Sequence, residues 1–449
     1  MTAQKKWAIT SLVIAAIFVA AYFAATRALD HWLQNGTLTR LIARKTAVKL
    51  EADAGYLPLA WRGMSVRSDG ILVRGKPPRA LVEMSATNLR AYCSVQNLWQ
   101  RKWTVTRLEA SHLQAAFGEA AAGQLQKILP YDPELQPQIE TSSPLNLDIR
   151  ETIIARTDIS WGKTPDGIGG LKDVESRFYP KDHGLDVFGR GGTLRQTGWP
   201  DAHIEELHFD WAKPKLLVRS ALLSLGQPRN FTITGEFEFR DHGGMNLHLS
   251  FKATPAEPFL RGYWQGKFDG VLDCETDLQK QFEPEAKVTA SGRLNFSRAM
   301  VHDVATLKQV AAVTRHPQFE KPKTDSLSFR YRWTGTRLEI SQFEIETKGL
   351  FRLEGEFAIE NENIDGRFKV GAAPDVVDSI PGAREKVFTE SREGYLWTTM
   401  RLSGPASHPR EDLKQRLIAA AEEHFAKGFL APIFKPGKAV IELLNGLYK

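Results

Sequence analysis

Cysteine is scarce in this chain of 449 residues, which contains only Cys93 and Cys274. The two residues lie far apart in the sequence and form no CxxC spacing, so nothing in the pattern requires a disulfide or a dithiol centre. An exported chain permits a bridge between two cysteines, but two unpaired, buried thiols are the preferred prediction.

A large surplus of one charge sign is also missing. The net charge is +6 and the isoelectric point is near 9.1, and basic residues alternate with acidic ones instead of forming blocks. This distribution argues against nucleic-acid binding, whereas anionic lipid nearby would suit the small positive surplus. Charged residues make up 25% and hydrophobic residues 42%, which is typical of globular chains. The length fits two or three domains or one elongated domain.

Catalytic motifs are absent as well. The sequence contains no GxSxG, HExxH or P-loop pattern. The glycine-rich run FGRGGT at Phe188 to Thr193 does not fit GxGxxG, and a turn between strands explains it. We therefore predict a protein that is not an enzyme and has no metal or cofactor.

The longest uncharged run is WAITSLVIAAIFVAAYFAA, from Trp7 to Ala25. At about 1.5 Å per residue in a helix, it just spans the roughly 30 Å hydrocarbon core of a bilayer. Lys5 and Lys6 before it slightly favour a cytoplasmic N-terminus, although Arg27 follows it. The alternative is a cleaved signal peptide, whose apolar region is usually about 7 to 15 residues. An uncleaved anchor is preferred, and either interpretation exports the rest of the chain.

Residues 28–54 show apolar spacing typical of helix. Asn35 and Gly36 interrupt it, which predicts two amphipathic helical pieces near the membrane. Gly55 is predicted to be the C-terminal cap of the second piece.

From Leu59 onward the apolar period changes to two, which predicts a meander of strands. Turn signals at Asp69-Gly70, Asp166-Gly167 and Gly243-Gly244 separate several of them. The predicted strand runs include 81–92, 103–113, 149–161, 185–194, 204–211 and 216–225.

The clearest alternation lies in a hairpin of the second half. One face holds Phe231, Ile233, Gly235, Phe237 and Phe239, followed after the Gly243-Gly244 turn by Leu247, Leu249 and Phe251; the residues between them are polar or charged. One face of this hairpin is therefore predicted to be apolar and the other to be polar and solvent-exposed.

A second copy of this hairpin follows further along the chain. NFTITGEFEF at 230–239 is echoed by LFRLEGEFAI at 350–359, with Gly-Glu-Phe in register. The partner runs MNLHLSF at 245–251 and IDGRFKV at 364–370 also correspond, and KVTASGRLNF at 287–296 has the same pattern. Repeated β units that share an apolar face are therefore predicted.

Short helical segments are predicted at His112 to Leu129, Ala299 to Arg315 and Glu411 to Phe425, where they would cover sheet ends. The last 22 residues, from Gly428 to Lys449, combine a proline-broken apolar patch with an amphipathic stretch; capping the sheet is preferred over touching a membrane. The pattern alone leaves a barrel, a sandwich and a long groove open.

Three stretches of the chain resemble the AsmA-like proteins of Gram-negative envelopes, which are related to bridge-like lipid-transport proteins. The first is the N-terminal anchor followed by WRGMSVRSDGILVRG at 61–75, and the second is the strand, LW turn, basic dipeptide and return strand at 85–118. The third is the C-terminal region with GRLNFSRAMVHDVATLKQVAAV, ISQFEIETKGLFRLEGEFAIENENIDGRFKV and LSGPASHPRED. The order of the stretches carries the resemblance, because each one records strand pattern more than chemistry.

The resemblance implies a membrane-anchored protein of the inner membrane, single-pass, with its body in the periplasm. It implies an elongated, curved antiparallel β-sheet groove with short helical caps and a C-terminal helix, in a mainly β fold. It also implies phospholipid transport and a part in outer-membrane biogenesis or homeostasis, with membrane lipids as partners. The expected divisions are an anchor at 1–27, a helical junction at 28–55, a β-groove body at 56–410 with sub-units 56–118, 140–280 and 287–410, and a helical cap at 411–449.

The candidate lipid-groove residues are those of the two apolar hairpin faces: Phe231, Ile233, Phe237, Phe239, Leu247, Leu249, Phe251, Phe351, Leu353, Phe357, Ile359, Phe368 and Val370. A structural or regulatory envelope protein with a closed β core is the alternative hypothesis. An enzyme acting on envelope glycans or lipids is the least favoured, because no reactive group stands out.

Overall fold

The alternating pattern is realised as strands throughout most of the computed structural model, which confirms the mainly β class. The structure describes residues 27, 31, 36–62, 65–77, 80–94, 102–137, 146–162, 167–240, 242–260, 265–283, 286–302, 305–406 and 409–427. The chain divides into two compact units, unit 1 from Met1 to Lys213 and unit 2 from Pro214 to Lys449. The anchor predicted at Trp7 to Ala25 and the tail from Gly428 lie outside the described residues. The sub-unit limits given above stay predictions.

Unit 1 contains eleven described strands and two described helices. The helices are α1 (Thr37–Leu50) and α2 (Glu119–Ala122). The strands are β1 (Asp53–Tyr56), β2 (Leu59–Arg62), β3 (Ser65–Arg74), β4 (Leu81–Ser94), β5 (Lys102–Phe117), β6 (Asn146–Ile149), β7 (Thr152–Trp161), β8 (Gly169–Lys181), β9 (Gly184–Arg190), β10 (Thr193–Gln196) and β11 (Ala202–Ala212).

The sheet of unit 1 is mixed, so the prediction of an antiparallel sheet is wrong here. Strands β1 and β2 pair with β3, which pairs with β4 and then β5, all antiparallel. Strands β6 and β7 then lie parallel to β5, and β7 continues antiparallel to β8, followed by β9, β10 and β11. A parallel pair needs a long return connection, and the chain between Phe117 and Asn146 supplies it.

The helix predicted at His112 to Leu129 is wrong over most of its length. Strand β5 continues to Phe117, and the helix that follows, α2, has only four residues. Alanines suggested a helix, but Ala115 and Ala116 are buried in the strand, where β7 pairs alongside. Pairing with β7, a strand distant in sequence, outweighs the high helix propensity of alanine, because tertiary contacts commonly override intrinsic propensity.

Helix α1 forms the described part of the predicted helical junction and packs on the sheet of unit 1. Its buried Leu38 meets Leu59 and Val66, and its buried Ala47 meets Ile71 and Val73. The predicted cap at Gly55 is wrong, since Glu51 ends the helix in the left-handed conformation at φ 55° and Gly55 lies in β1.

Two glycines of unit 1 serve close packing instead of turns. A Cβ atom at Gly55 would lie 2.5 Å from the carbonyl oxygen of Glu134, and one at Gly70 would lie 2.2 Å from Cδ2 of Leu129. The turn predicted at Asp69-Gly70 is therefore wrong, because β3 runs through it unbroken. The long connection after β5 presses on the sheet at these positions, which leaves no room for a side chain.

Unit 2 contains thirteen described strands, four described helices and two 3₁₀ segments. The strands are β12 (Lys215–Ser224), β13 (Phe231–Glu238), β14 (Gly244–Pro255), β15 (Phe268–Gln281), β16 (Thr289–Val301), β17 (Lys323–Thr324), β18 (Ser326–Trp333), β19 (Arg337–Thr347), β20 (Phe351–Glu360), β21 (Asn363–Ala372), β22 (Glu390–Arg392), β23 (Tyr395–Pro405) and β24 (Arg410–Glu411). The helices are α3 (Ala305–Thr314), α4 (Pro374–Asp378), α5 (Ala383–Lys386) and α6 (Leu413–Lys427), and the 3₁₀ segments are Glu257–Phe259 and Pro317–Glu320.

The long strands of unit 2 form one antiparallel meander. Their order is β12, β13, β14, β15, β16, β18, β19, β20, β21 and β23, so each strand lies beside the next long strand of the chain. Strand β17 pairs with the end of β16 on the same side as β18, and β22 and β24 pair with the side of β23 that faces away from β21. Both predicted hairpins, at 231–251 and 351–370, are confirmed.

The helices of unit 2 follow the predictions more closely. The helix expected at Glu411 to Phe425 is confirmed as α6, shifted by two residues. The helix expected at Ala299 to Arg315 begins later, at Ala305, because Ala299 to Val301 complete β16. Together with α4 and α5 these helices bury Leu350, Val377, Ala383 and Ala420 in one apolar cluster at the ends of β20, β21 and β23.

The outer edge of β23 is closed by side chains at the start of α6. Asp412 accepts a hydrogen bond from the backbone N–H of Arg401 at 2.8 Å, and its own N–H donates to the Arg401 carbonyl at 3.3 Å. Arg416 donates to the carbonyl of Thr399 and, at 3.2 Å, to the hydroxyl of Thr398. These contacts occupy backbone groups that would otherwise be free to pair with another strand.

We expect the double variant Asp412→Ala, Arg416→Ala to self-associate as its concentration rises, because it exposes the free backbone groups of β23. Light scattering coupled to gel filtration measures this, with the exposed Gln415→Ala on the same helix as the control. A double variant that keeps the molar mass of the parent at every concentration would show that these side chains do not guard the edge.

Candidate functional site

Cross-strand register places the predicted apolar residues of the first hairpin on one face. Phe231 lies opposite Phe251, Ile233 opposite Leu249, and Gly235 opposite Leu247. Because side chains alternate between the two faces of a strand, these in-register positions share the same side of the sheet. Phe237 lies opposite Met245 on that side, and Phe239 follows directly after the end of β13.

The second hairpin has the same arrangement. Leu353 lies opposite Val370 and Ile359 opposite Ile364, while Phe368 and Phe357 each lie opposite a glycine of the partner strand. Phe351 lies opposite Ala372 at the end of the hairpin next to the helices. All of the candidate groove residues of this hairpin therefore share one side of β20 and β21.

The strands between the two hairpins join these surfaces into one. Phe251 pairs with Cys274 on β15, Cys274 with Leu294 on β16, and Leu294 with Phe329 on β18. Strand β18 pairs in turn with β19, and β19 with β20. We call this surface the apolar face. The residues of the apolar face that were not predicted include Met245, Phe268, Leu272, Cys274, Leu278, Leu294, Phe296, Leu327, Phe329, Tyr331, Leu338, Ile340, Phe343, Ile345 and Ile364.

A row of phenylalanine rings crosses the apolar face from strand to strand. The ring centroids of Phe268 and Phe296 are 5.4 Å apart, and those of Phe296 and Phe329 are 6.5 Å apart. Phe343 then lies 6.1 Å from Phe329, 6.2 Å from Phe357 and 6.1 Å from Phe368. These spacings are typical of favourable aromatic pairs, so the row stabilises neighbouring strands while presenting a hydrocarbon surface.

Burial differs along the candidate residues. Phe231, Leu249, Phe251 and Phe368 are buried. The others of the two hairpins keep partial solvent exposure: Ile233, Phe237, Leu247, Phe351, Leu353, Phe357, Ile359 and Val370; Phe239 is 49% exposed. Every described strand of unit 2 belongs to the same sheet, so no second sheet is left among these residues to cover the face.

The two rims of the apolar face differ. At the rim where β20 begins, Phe351 stacks 6.0 Å from Phe319 of a 3₁₀ segment and joins the buried helical cluster. At the opposite rim large aromatic side chains are exposed, with Phe282 at 43% and Trp333 at 38%. Phe239 stacks there on Phe282 at 5.8 Å. One rim is therefore capped and the other presents aromatic rings to its surroundings.

The opposite side of the same strands is charged and paired. Arg352 contacts the carboxylates of Glu344 at 2.9 Å, Glu354 at 3.0 Å and Glu393 at 2.7 Å. His248 contacts Asp277 across β14 and β15 at 2.9 Å. This side has the composition of a solvated surface, so the two faces of the sheet differ sharply in polarity.

A network of titratable groups in unit 1 is accounted for by strand pairing. Asp158 accepts hydrogen bonds from Nε2 of His112 at 2.8 Å, from the backbone N–H of Asp173 at 2.8 Å and from Arg156 at 3.2 Å. Burial of Asp158 opposes its ionisation, but these donors outweigh burial and hold the pKa of the carboxyl below its usual value. The donors and the carboxylate satisfy one another, so the network stabilises the sheet.

The described residues contain neither a cluster of metal-ligating side chains nor a pair of bonded cysteines. No set of three or more His, Cys, Asp or Glu side chains there is placed to share a metal ion. Cys93 and Cys274 are free thiols, and burial raises the pKa of Cys93 to about 11. Cys274 is buried and Cys93 partly buried, and both thiols stay protonated at neutral pH, as poor nucleophiles.

Comparison with protein-family models, with curated proteins and with solved structures finds no match for this chain. Among the described residues, no helix combines the length and apolar character needed to cross a membrane.

Proposed function

We propose that this protein is a membrane-anchored, AsmA-like protein of the periplasm that binds or shields lipid acyl chains on the apolar face of unit 2. In this proposal the face is the inner wall of a curved groove, and the protein contributes to phospholipid transport and outer-membrane biogenesis or homeostasis. Residues 7–25 supply the inner-membrane anchor. The observation that carries the proposal is the continuous, partly exposed apolar surface that runs from β12 to β23.

The physical argument rests on the hydrophobic effect. Each methylene removed from water contributes about 0.8 kcal/mol, so the roughly 15 methylenes of an acyl chain would gain on the order of 12 kcal/mol in an apolar setting. Rows of Phe, Leu and Ile provide an apolar environment similar to the bilayer interior, so moving an acyl chain from the bilayer onto them costs little free energy. A charged head group is strongly disfavoured in the same place, so it requires an open side.

The two rims of the apolar face suit the two parts of a lipid, its acyl chains and its charged head group. The capped rim is apolar and closed by helices, whereas the exposed rim carries Phe239, Phe282 and Trp333 beside solvent. Aromatic side chains are favoured where an apolar region meets water. The exposed rim therefore suits the region where acyl chains give way to the head group.

Lipid mass spectrometry of the gently solubilised full chain tests the proposal. We expect at least one phospholipid for each protein chain after gel filtration. Background lipid alone, in protein that is folded and monodisperse, would contradict the proposal and favour the alternative of a structural or regulatory envelope protein with a closed core.

A further inference from the structure

A hydrogen-bonded polar cluster interrupts the apolar face. The hydroxyl of Thr276 on β15 lies 2.6 Å from the hydroxyl of Tyr331 on β18, and the thiol of Cys274 lies 3.1 Å from the same Thr276 hydroxyl. Gly292 on β16 pairs with both Thr276 and Tyr331 and stands between them. With no side chain at Gly292, the ring of Tyr331 can cross β16 and reach Thr276.

The surroundings of this cluster are apolar. Leu249 lies opposite Thr276 on β14, and Ile340 lies opposite Tyr331 on β19. Thr276 and Cys274 are buried, while Tyr331 keeps partial solvent exposure. Hydroxyls that serve only packing are costly in such a place, since buried polar groups need partners.

The cluster has three hydrogen-bond donors but only two internal contacts, so one of the three hydrogens can be donated to a group outside the cluster. If the Cys274 thiol donates to Thr276 and the Thr276 hydroxyl donates to Tyr331, the phenolic O–H is left to donate outside the cluster. Either hydroxyl can be the donor in the contact between Thr276 and Tyr331. An oxygen acceptor beside Tyr331 favours the order in which Thr276 donates to Tyr331, because all three hydrogens of the cluster then have an oxygen acceptor. Burial raises the pKa of Tyr331, so its hydroxyl stays protonated and able to donate at neutral pH.

We infer that the Tyr331 hydroxyl donates a hydrogen bond to an ester carbonyl of a bound lipid, so that the face prefers ester-linked glycerolipids over ether-linked ones. The inference rests on the proposed function, because it requires lipid on the apolar face. An ester carbonyl accepts a hydrogen bond and carries no charge, which suits a lone donor among Leu and Ile side chains. An ether-linked lipid has no carbonyl at this position, and its ether oxygen is a weaker acceptor, so the hydrogen bond from Tyr331 is weakened or lost.

A competition between two phosphatidylcholines tests the inference. The full chain is incubated with vesicles that contain equal amounts of a diester lipid and a diether lipid with matched chains. Co-purified lipid is then measured by mass spectrometry. One neutral hydrogen bond predicts about a 2- to 10-fold preference for the diester. In Tyr331→Phe the preference should fall to equal binding while total lipid is retained.

Tyr179→Phe is the matched control, since the Tyr179 hydroxyl in unit 1 contacts Glu151 at 3.1 Å and lies outside the apolar face. It should keep the diester preference. Equal binding of the two lipids by the unmodified chain would overturn the inference and leave the proposed function standing, and so would a preference that survives in Tyr331→Phe. Absence of both lipids from the folded, unmodified chain would instead overturn the proposed function itself.

Discussion

Replacing Phe357 with lysine is expected to lower co-purified phospholipid by about tenfold or more, because it places a charge within the row of rings. Phe357 lies 6.2 Å from Phe343 and 5.9 Å from Phe368, so its substitution removes one ring from the group of three at the β20–β21 end of the row. A lysine there either displaces the acyl chain or moves its ammonium group toward solvent along an open side. The same loss is expected for Phe237→Lys in the first hairpin.

Glu356→Lys provides the matched control for this variant. Glu356 is the preceding residue, it is exposed, and its side chain lies on the opposite side of β20. The control introduces the same group into the same strand, so it should retain its lipid. Thermal unfolding of both variants establishes that they are folded. Unchanged lipid content in a folded Phe357→Lys protein would show that lipid does not occupy the apolar face.

Gly235→Ala is expected to be among the most destabilising single-methyl additions in unit 2. Gly235 has φ 137°, and a Cβ atom there would lie 2.2 Å from the carbonyl oxygen of Asn246. Backbone strain of this kind costs about 1–3 kcal/mol, and forcing the neighbouring strand apart costs about 1–3 kcal/mol more. Chemical denaturation should therefore show a loss of roughly 2–6 kcal/mol in the free energy of unfolding.

Gly394→Ala separates the two causes. Gly394 also has positive φ, at 81°, but a Cβ atom there meets nothing within 4 Å. Its substitution should cost only the strain contribution, about 1–3 kcal/mol. Equal losses in the two variants would mean that close approach of β14 to Gly235 adds nothing to the requirement for glycine.

The repeated Gly-Glu-Phe motif acquires a physical meaning from these positions. Gly355 of the second hairpin is also crowded by its partner strand, with a Cβ atom there lying 2.4 Å from the carbonyl oxygen of Arg367. In both copies the glycine admits the neighbouring backbone, the glutamate faces solvent and the phenylalanine joins the apolar face. The repeat therefore records a constraint on strand packing as well as the alternation of polarity.

Phe343 is missing from the predicted site because simple alternation assigns it to the wrong face of the sheet. The pairing of β19 with β20 shifts between Ile340 and Phe343, and Gln342 has φ 50°. Counting every second residue from Leu338 would put Phe343 on the wet side, yet it contacts Phe329 and Phe357 on the apolar face. Beyond a β-bulge the residues that faced one side of the sheet alternate onto the other side. The residue types around Gln342 do not predict this bulge.

The sequence by itself determined the mainly β class, the two hairpins with their apolar sides and helix α6. These features depend on alternation or helical periodicity among residues close together in the chain, which a linear pattern records. Only the tertiary structure decided that Gly55 and Gly70 lie in strands, that residues up to Phe117 extend β5 and that β7 runs parallel to β5. The pairing of β5 with β7 joins segments on either side of the connection between Phe117 and Asn146, and Gly55 and Gly70 lie against residues of that connection. Contacts between distant segments leave no local periodicity in the sequence. The same distinction holds for the cluster of Thr276 and Tyr331, which lie 55 residues apart and come together across Gly292.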